Sequence, residues 1–533
     1  MNTARFRLLI NRSKYFPRLY TTDAGFGNLH EATKFYSPLF NMNDSTMYKY
    51  LAKHSFLMDL SPTDIKRKVS YLKYINADNS EILAYPKLLT LHLITIENRT
   101  TILRECGLVE TLNLLTISKY ITIIKKTIDT LKKNKLIPAD LDMVEQLKKQ
   151  FDTGVFPDIK SSADLELQSL RELFMDTFLR QRLSLNDQES AKLWKSYSKI
   201  KHKSFGHTQR VLDILQHDYK FSRDKIVANF FLLYADPENL LRFPNTVPKI
   251  ADVSIRELVL KQPKILMVPC DNVKEIQTLL QEHGIAEAGV LKFSSILTLA
   301  PASILARIQQ LRKTKEFEVL SNHPRIVKLI AFQKKAIVRL DFLHQLKVRC
   351  ASLNVLSSHS QCFEKYVRDG YDRTKGKDVA HYLNEIFDRN DDDALQRLKR
   401  HQNWYHVPIV QMQESLEYLK SKSFKIDHIY ENMYLLLYPV TRISEKLEKL
   451  IACKYQQEPY EDLGIELSNV TPEQMLSLCL YLVELDFHFT GDGVWPDQIQ
   501  QSDATTTTNI DMPQTLKKEY KYGKKAPKST ISD

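Results

Sequence analysis

The 533-residue sequence is 43% apolar, enough for a large core, and carries only 13 glycines and a formal net charge of +12. Glycine usually makes up ~7% of a chain; sheet turns and phosphate-cradling loops depend on it, so its scarcity points to helix and away from a nucleotide-binding α/β enzyme. Cys106, Cys270, Cys350, Cys362, Cys453 and Cys479 show no C-x-x-C spacing, which disfavours a disulfide framework or a zinc site, and no apolar run reaches the ~18–20 residues of a membrane span.

In chain order, residues 1–22 hold Arg5, Arg7, Arg12, Lys14 and Arg18 with no acid, beside Phe6, Leu8, Leu9 and Ile10. This is the pattern of a mitochondrial transit peptide, and import is the expectation. A basic amphipathic helix could instead lie on a membrane surface, but at the extreme N-terminus import is the better reading.

Residues 45–140 read as a first block of helical repeats. Pro86 is followed at +3, +10 and +17 by Leu89, Ile96 and Leu103. Ser55 heads a similar series (Met58, Ile65, Leu72), and so does Leu114 (Ile117, Ile124, Leu131). Apolar residues seven apart also occur on many single amphipathic helices, so the series headed by proline carry more weight. Residues 141–204 are charge-balanced and helical, around 164–182 above all. They read equally as degenerate repeats or as a packed helical connection.

Residues 205–349 give the clearest periodicity. Pro237, Pro269 and Pro301 stand 32 residues apart, each opening a helical segment. Proline suits a helix start because its missing N–H would have no partner there and its φ is already helical. Asp236 is placed to cap, and Gly284 to close the helix after Pro269. Pro263 repeats the series with Leu266, Val273 and Leu280. A fixed period near 32 predicts an all-α helical-repeat solenoid of two-helix units, forming a curved superhelix.

Charge concentrates in the same region. Residues 301–350 hold eleven basic side chains against Glu316, Glu318 and Asp341. They are Arg307, Arg312, Lys313, Lys315, Arg325, Lys328, Lys334, Lys335, Arg339, Lys347 and Arg349. A charge run is usually only a solvated face. On a repeat scaffold, such an imbalance makes a stripe able to follow a phosphate backbone, so these residues are the candidate nucleic-acid contacts.

Residues 350–404 break the rhythm with a turn-like stretch, Asp369 to Lys377, and an acidic run, Asp388 to Asp393; they read as a polar insertion with a short helix around Val379 to Phe387. Repeats resume over 405–490, where Met433 heads Leu436, Ile443 and Leu450. Residues 501–533 are poor in apolar residues and rich in lysine, and a disordered tail is expected. No H-E-x-x-H, G-x-S-x-G or Walker-type loop is present. Gly491-Asp492-Gly493 reads as a turn. A non-enzymatic protein without cofactor or metal is expected.

With Pro86-Leu89-Ile96-Leu103, Pro263-Leu266-Val273-Leu280 and the stretch Ile429 to Pro439, residues 45–490 resemble the mitochondrial transcription termination factor (mTERF) family. Ser55, Leu114 and Met433 depart from the motif proline. The resemblance implies a modular helical superhelix on mitochondrial double-stranded DNA, regulating transcription in the matrix, at the nucleoid, by termination, pausing or recruitment of another mitochondrial transcription factor. It also allows an RNA-binding factor in mitochondrial ribosome assembly. A protein adaptor without nucleic-acid binding is the third class. No contact residue of the family transfers to a specific position here.

Overall fold

A computed structural model describes residues 25–496 except 152–155, 158, 160–162, 371, 389–392, 458–459 and 461–465. The expected leader over 1–22 and the expected tail over 501–533 lie outside the described residues.

The recurring element is a short helix, a 3₁₀ turn and a longer helix. In one unit these are Ile255–Lys261, Pro263–Met267 and Cys270–Glu282. Ser254 starts the first by accepting a hydrogen bond from the Arg256 N–H. Pro263 ends it, because the residue before a proline is pushed out of the helical region; Gln262 has φ −130°. Pro269 precedes the long helix and its carbonyl accepts from Val273 N–H at 3.3 Å. Gly284, at φ +65°, supplies the left-handed residue that closes it. The same order appears in Asp44–Lys53, Ser55–Asp59, Pro62–Tyr74, and again in Asn79–Ala84, Pro86–Thr90, Leu93–Glu105. It returns in Arg223–Ala228, Phe230–Tyr234, Pro237–Thr246, and in Ile426–Glu431, Met433–Leu437, Val440–Gln456. The protein is an all-α helical repeat.

The +3, +10 and +17 residues are its core. Leu89, Ile96, Leu103, Leu266, Val273 and Leu280 are buried, as are Ile65, Leu72, Ile117, Ile124, Leu131, Leu436, Ile443 and Leu450. Only Met58, in a unit without the proline, stays half-buried. Each buried aliphatic contributes roughly 1.5–3 kcal/mol relative to exposure, so the series sets the register of every unit it occupies.

A second regularity is polar. Among the described residues, the seventh residue of five long helices donates to a carbonyl at the end of the next short element. Lys68 Nζ reaches Leu89 O at 2.8 Å, and Arg99 Nη1 reaches Ile117 O at 3.4 Å. Arg307 Nη1 reaches Ala331 O at 2.7 Å, Arg339 Nη1 reaches Leu356 O at 3.1 Å, and Ser415 Oγ reaches Tyr438 O at 2.7 Å. Short helices leave their last carbonyls without an internal partner, and these side chains satisfy them. In Pro237–Thr246 the seventh residue is Phe243, and Asn239 takes over: its amide donates to Val268 O at 2.9 Å and accepts from Cys270 N–H at 2.8 Å.

Two compact units divide the chain, one running to Gln277 with Leu297–Ala302, the other comprising Thr278–Ile296 and the chain from Ser303. In the first, Arg171 is buried on the helix Leu167–Leu183. Its guanidinium donates to Glu105 Oε2 and to Lys203 O, both at 2.9 Å, and lies 4.5 Å over the Phe205 ring. That pair anchors the stretch 141–204 to the first repeats.

Two features depart from the sequence reading. Residues 350–404 are mostly helical, with Leu353–Ser357, Ser360–Asp369, Gly376–Phe387 and Asp393–Leu398. Phe363, Val379, Tyr382, Leu383, Leu395 and Leu398 are buried there, an apolar face interrupted by enough charge to look like loop. A two-residue hairpin, Lys249–Ile250 with Val253–Ser254, also forms, turning through Ala251 and Asp252 at positive φ.

Candidate nucleic-acid interface

The basic segment belongs to the second unit and occupies the helices Pro301–Leu311, Lys315–Glu318, Ile326–Ala331 and Gln333–Gln345 with their connections. The fold sorts its eleven cations into three kinds.

Arg339 corrects the sequence reading. It is wholly buried, donates to Val355 O, Leu356 O and Ser358 O at 3.3, 3.1 and 2.8 Å, and lies 4.5 Å over Phe363. Counting charge along a chain cannot distinguish such an arginine from a surface one. Arg307 is half-buried and caps Ile330 O and Ala331 O. Arg349 is half-buried against Gln411, to which Nη2 donates at 2.7 Å, with Trp495 5.6 Å from its guanidinium. These three serve packing first.

A second group is exposed but engaged. Arg312 Nη2 donates to His283 O at 2.9 Å, at the carbonyl end of the helix Cys270–Glu282, where a cation complements the helix dipole. Arg325 donates to Asn354 Oδ1 at 2.7 Å, and Lys315 pairs with Glu414 at 2.8 Å. Arg312 and Arg325 bond to neutral acceptors, with the Asp378 carboxyl close enough to feel the charge of Arg325, whereas Glu414 offsets that of Lys315.

Lys313 and Lys334 are exposed, Lys347 is exposed at φ +58°, and Lys328 and Lys335 are half-buried. Of the three acids, Glu316 is held by His344 at 2.8 Å. The buried His323 imidazole, 3.7 Å from the Asp378 carboxyl, is pushed down to about 4 by burial first and then by His381, Arg325 and Lys292. Lys292 is exposed at the end of the helix Ala288–Lys292, just outside the window that drew attention in the sequence. Phe332 is likewise exposed, between Lys328 and Lys334 in the chain, with its ring 5.6 Å from Phe293. A single exposed phenylalanine leaves no signal in a sequence holding 24 of them. Among the described residues no cluster is arranged to hold a metal, and no helix is long and apolar enough to cross a membrane.

Proline-punctuated units of helix, 3₁₀ turn and helix, with their +3, +10 and +17 residues in the core, define a helical-repeat protein of the mTERF kind. The chain belongs to the mitochondrial transcription termination factor family, and is mitochondrial. Over 496 residues it is 38% identical to Transcription termination factor 5, mitochondrial, of Drosophila melanogaster, a match covering 91% of this chain and 87% of that protein. No family model matches, and no solved structure does.

Proposed function

We propose that this protein binds mitochondrial double-stranded DNA and regulates transcription at the nucleoid, by stopping or pausing the polymerase or by recruiting a second factor. The observation that carries this reading is the surviving exposed charge: Arg312 and Lys313 in the turn after Pro301–Leu311, Arg325 just before Ile326–Ala331 and Lys334 on Gln333–Gln345, with Lys328, Lys335 and Lys347 near them in the chain. Blocking or recruitment needs binding energy rather than a catalytic group. Phosphate contacts of this kind position a protein on a duplex while base edges supply sequence preference.

Each phosphate neutralised releases condensed counterions, so log K falls against log salt by about 0.9 per contact on duplex DNA. Replacing Lys313, Arg325 and Lys334 together with alanine should flatten that slope by roughly two to three units. Unchanged duplex affinity and slope would return the segment to an ordinary solvated face. A selective loss on structured RNA would favour the ribosome-assembly class instead.

A further inference from the structure

The second unit also carries an aromatic surface outside the basic segment. The 3₁₀ turn Trp404–His406 presents three half-buried rings in succession. The centroids of Trp404 and Tyr405 are 6.0 Å apart and edge-on, and those of Tyr405 and His406 are 4.2 Å apart. Trp495, which is 37% exposed, has its ring 5.1 Å from that of His406. Two of the three tryptophans in the chain thus belong to one row of rings, linked through Tyr405 and His406. Cations lie over two of the rings: the Arg373 guanidinium is 5.0 Å from the Tyr405 ring centroid, and that of Arg349 is 5.6 Å from the Trp495 centroid. Of the neighbouring acids, the Asp372 carboxylate accepts from the N–H groups of Arg349 and Cys350 at 3.0 and 2.7 Å, and the exposed Asp492 accepts from the Asn403 side-chain amide at 3.2 Å.

The backbone that carries these rings is tied down. Thr374 N–H donates to Tyr405 O at 2.7 Å, and Asn403 donates to Gly491 O at 3.0 Å. Gln411 donates to Val494 O at 3.3 Å and Arg442 to Gly493 O, so the segment bearing Trp495 is held at several points. Gly493 permits this close passage: a Cβ there would lie 2.8 Å from both the Phe487 and Tyr438 rings.

We propose that Trp404, Tyr405 and Trp495, flanked by Arg349 and Arg373, form a stacking platform for unpaired bases of a single-stranded nucleic acid. Every base has a π-face, so aromatic rings beside arginines accept a strand with little regard to sequence, while the exposed Arg373 guanidinium meets its phosphates and Arg349 stays packed against Trp495. A duplex buries its base faces and offers only its edges and backbone, so this platform is distinct from the duplex-binding residues. It deepens the nucleic-acid reading but fails separately from it. A displaced DNA strand and a transcript share the required chemistry.

The test uses the full chain carrying Trp194→Phe, so that tryptophan emission comes from Trp404 and Trp495. Twelve-nucleotide oligothymidine, oligouridine of equal length and a mixed-sequence duplex are titrated in parallel, by emission and by anisotropy. Single strands should quench the emission. Tyr405→Ala and Trp495→Ala should each weaken single-strand binding about 5- to 150-fold, the contribution of one stacked base. Trp495→Phe should retain most of the affinity, and duplex affinity should stay within about twofold, because duplexes expose no base face. The DNA and RNA arms identify the preferred strand. Unaltered single-strand affinity in both alanine variants, or an equal loss on duplex, overturns the platform. Duplex binding without single-strand binding overturns it alone; single-strand binding without duplex binding overturns the proposed function and leaves the platform standing.

Discussion

Replacing the wholly buried Arg339 with alanine tests whether it is a structural part or a contact. Its guanidinium donates to three carbonyls, the shortest bond being 2.8 Å to Ser358 O, and packs 4.5 Å over Phe363. One nitrogen serves all three acceptors, so about two full charge-assisted bonds are lost, each contributing roughly 1.5–3 kcal/mol. The desolvated cation–π contact adds about 2 kcal/mol. Against this, alanine removes the cost of keeping a charge out of water, several kcal/mol. The net expectation is a loss of about 3 kcal/mol, with Arg339→Lys falling between because a point charge replaces a fork. Urea unfolding followed by the emission of Trp404 and Trp495, in a Trp194→Phe background, reads the unit in which Arg339 lies. Below the transition, duplex affinity should change less than about twofold, since a wholly buried side chain reaches no phosphate. A destabilisation under about 0.5 kcal/mol together with a salt slope flattened by about one unit would refute the reasoning and place Arg339 on the nucleic acid.

Leu266→Asp should destabilise the first unit by several kcal/mol, as an unpaired buried charge does, while Lys264→Asp, on the exposed side of the same 3₁₀ turn, should cost less than about 0.5 kcal/mol; equal urea midpoints would mean the repeat register is wrong. His202 is held down to about 4 by burial and then by Lys201, Arg171, Arg99 and Lys125. The unfolded chain therefore binds its proton first as pH falls, so the contribution of His202 is whole above its ordinary value of 6.5 and is lost as pH drops through about 4. His202→Gln should flatten the urea midpoint against pH across that window, and an unaltered profile would assign the acid sensitivity elsewhere.

The repeat was legible because its signal is redundant. Leu266, Val273 and Leu280 recur at the spacing of Leu89, Ile96 and Leu103, and proline marks both series. Residues 350–404 were not, because their apolar face is split among short helices whose exposed residues are strongly charged, as at Lys375, Lys377 and Lys399. The basic segment was legible as charge and only partly as surface: Lys313 and Lys334 are exposed, whereas Arg339 is buried at a position that only the repeat phase explains. Arg307 and Arg339 stand 32 residues apart, and that spacing is the clue that both serve the scaffold. Nothing local in the sequence brings Trp495 to His406; the contact depends on a glycine turn and on backbone held from a distance.

The side chain at the seventh position of the long helices also governs how such an array can change length. A unit copied whole brings with it both a donor for its successor and the carbonyls that its predecessor must meet. Duplication beside Lys68, Arg307 or Ser415 therefore creates no orphaned group at the new junction. Excision is less symmetrical. A junction moved onto Phe243 or Ile276 finds no donor at that position, and where Asn239 is absent the next turn would keep bare carbonyls inside the core. Lineages built on this scaffold should gain units more easily than they lose them from its middle.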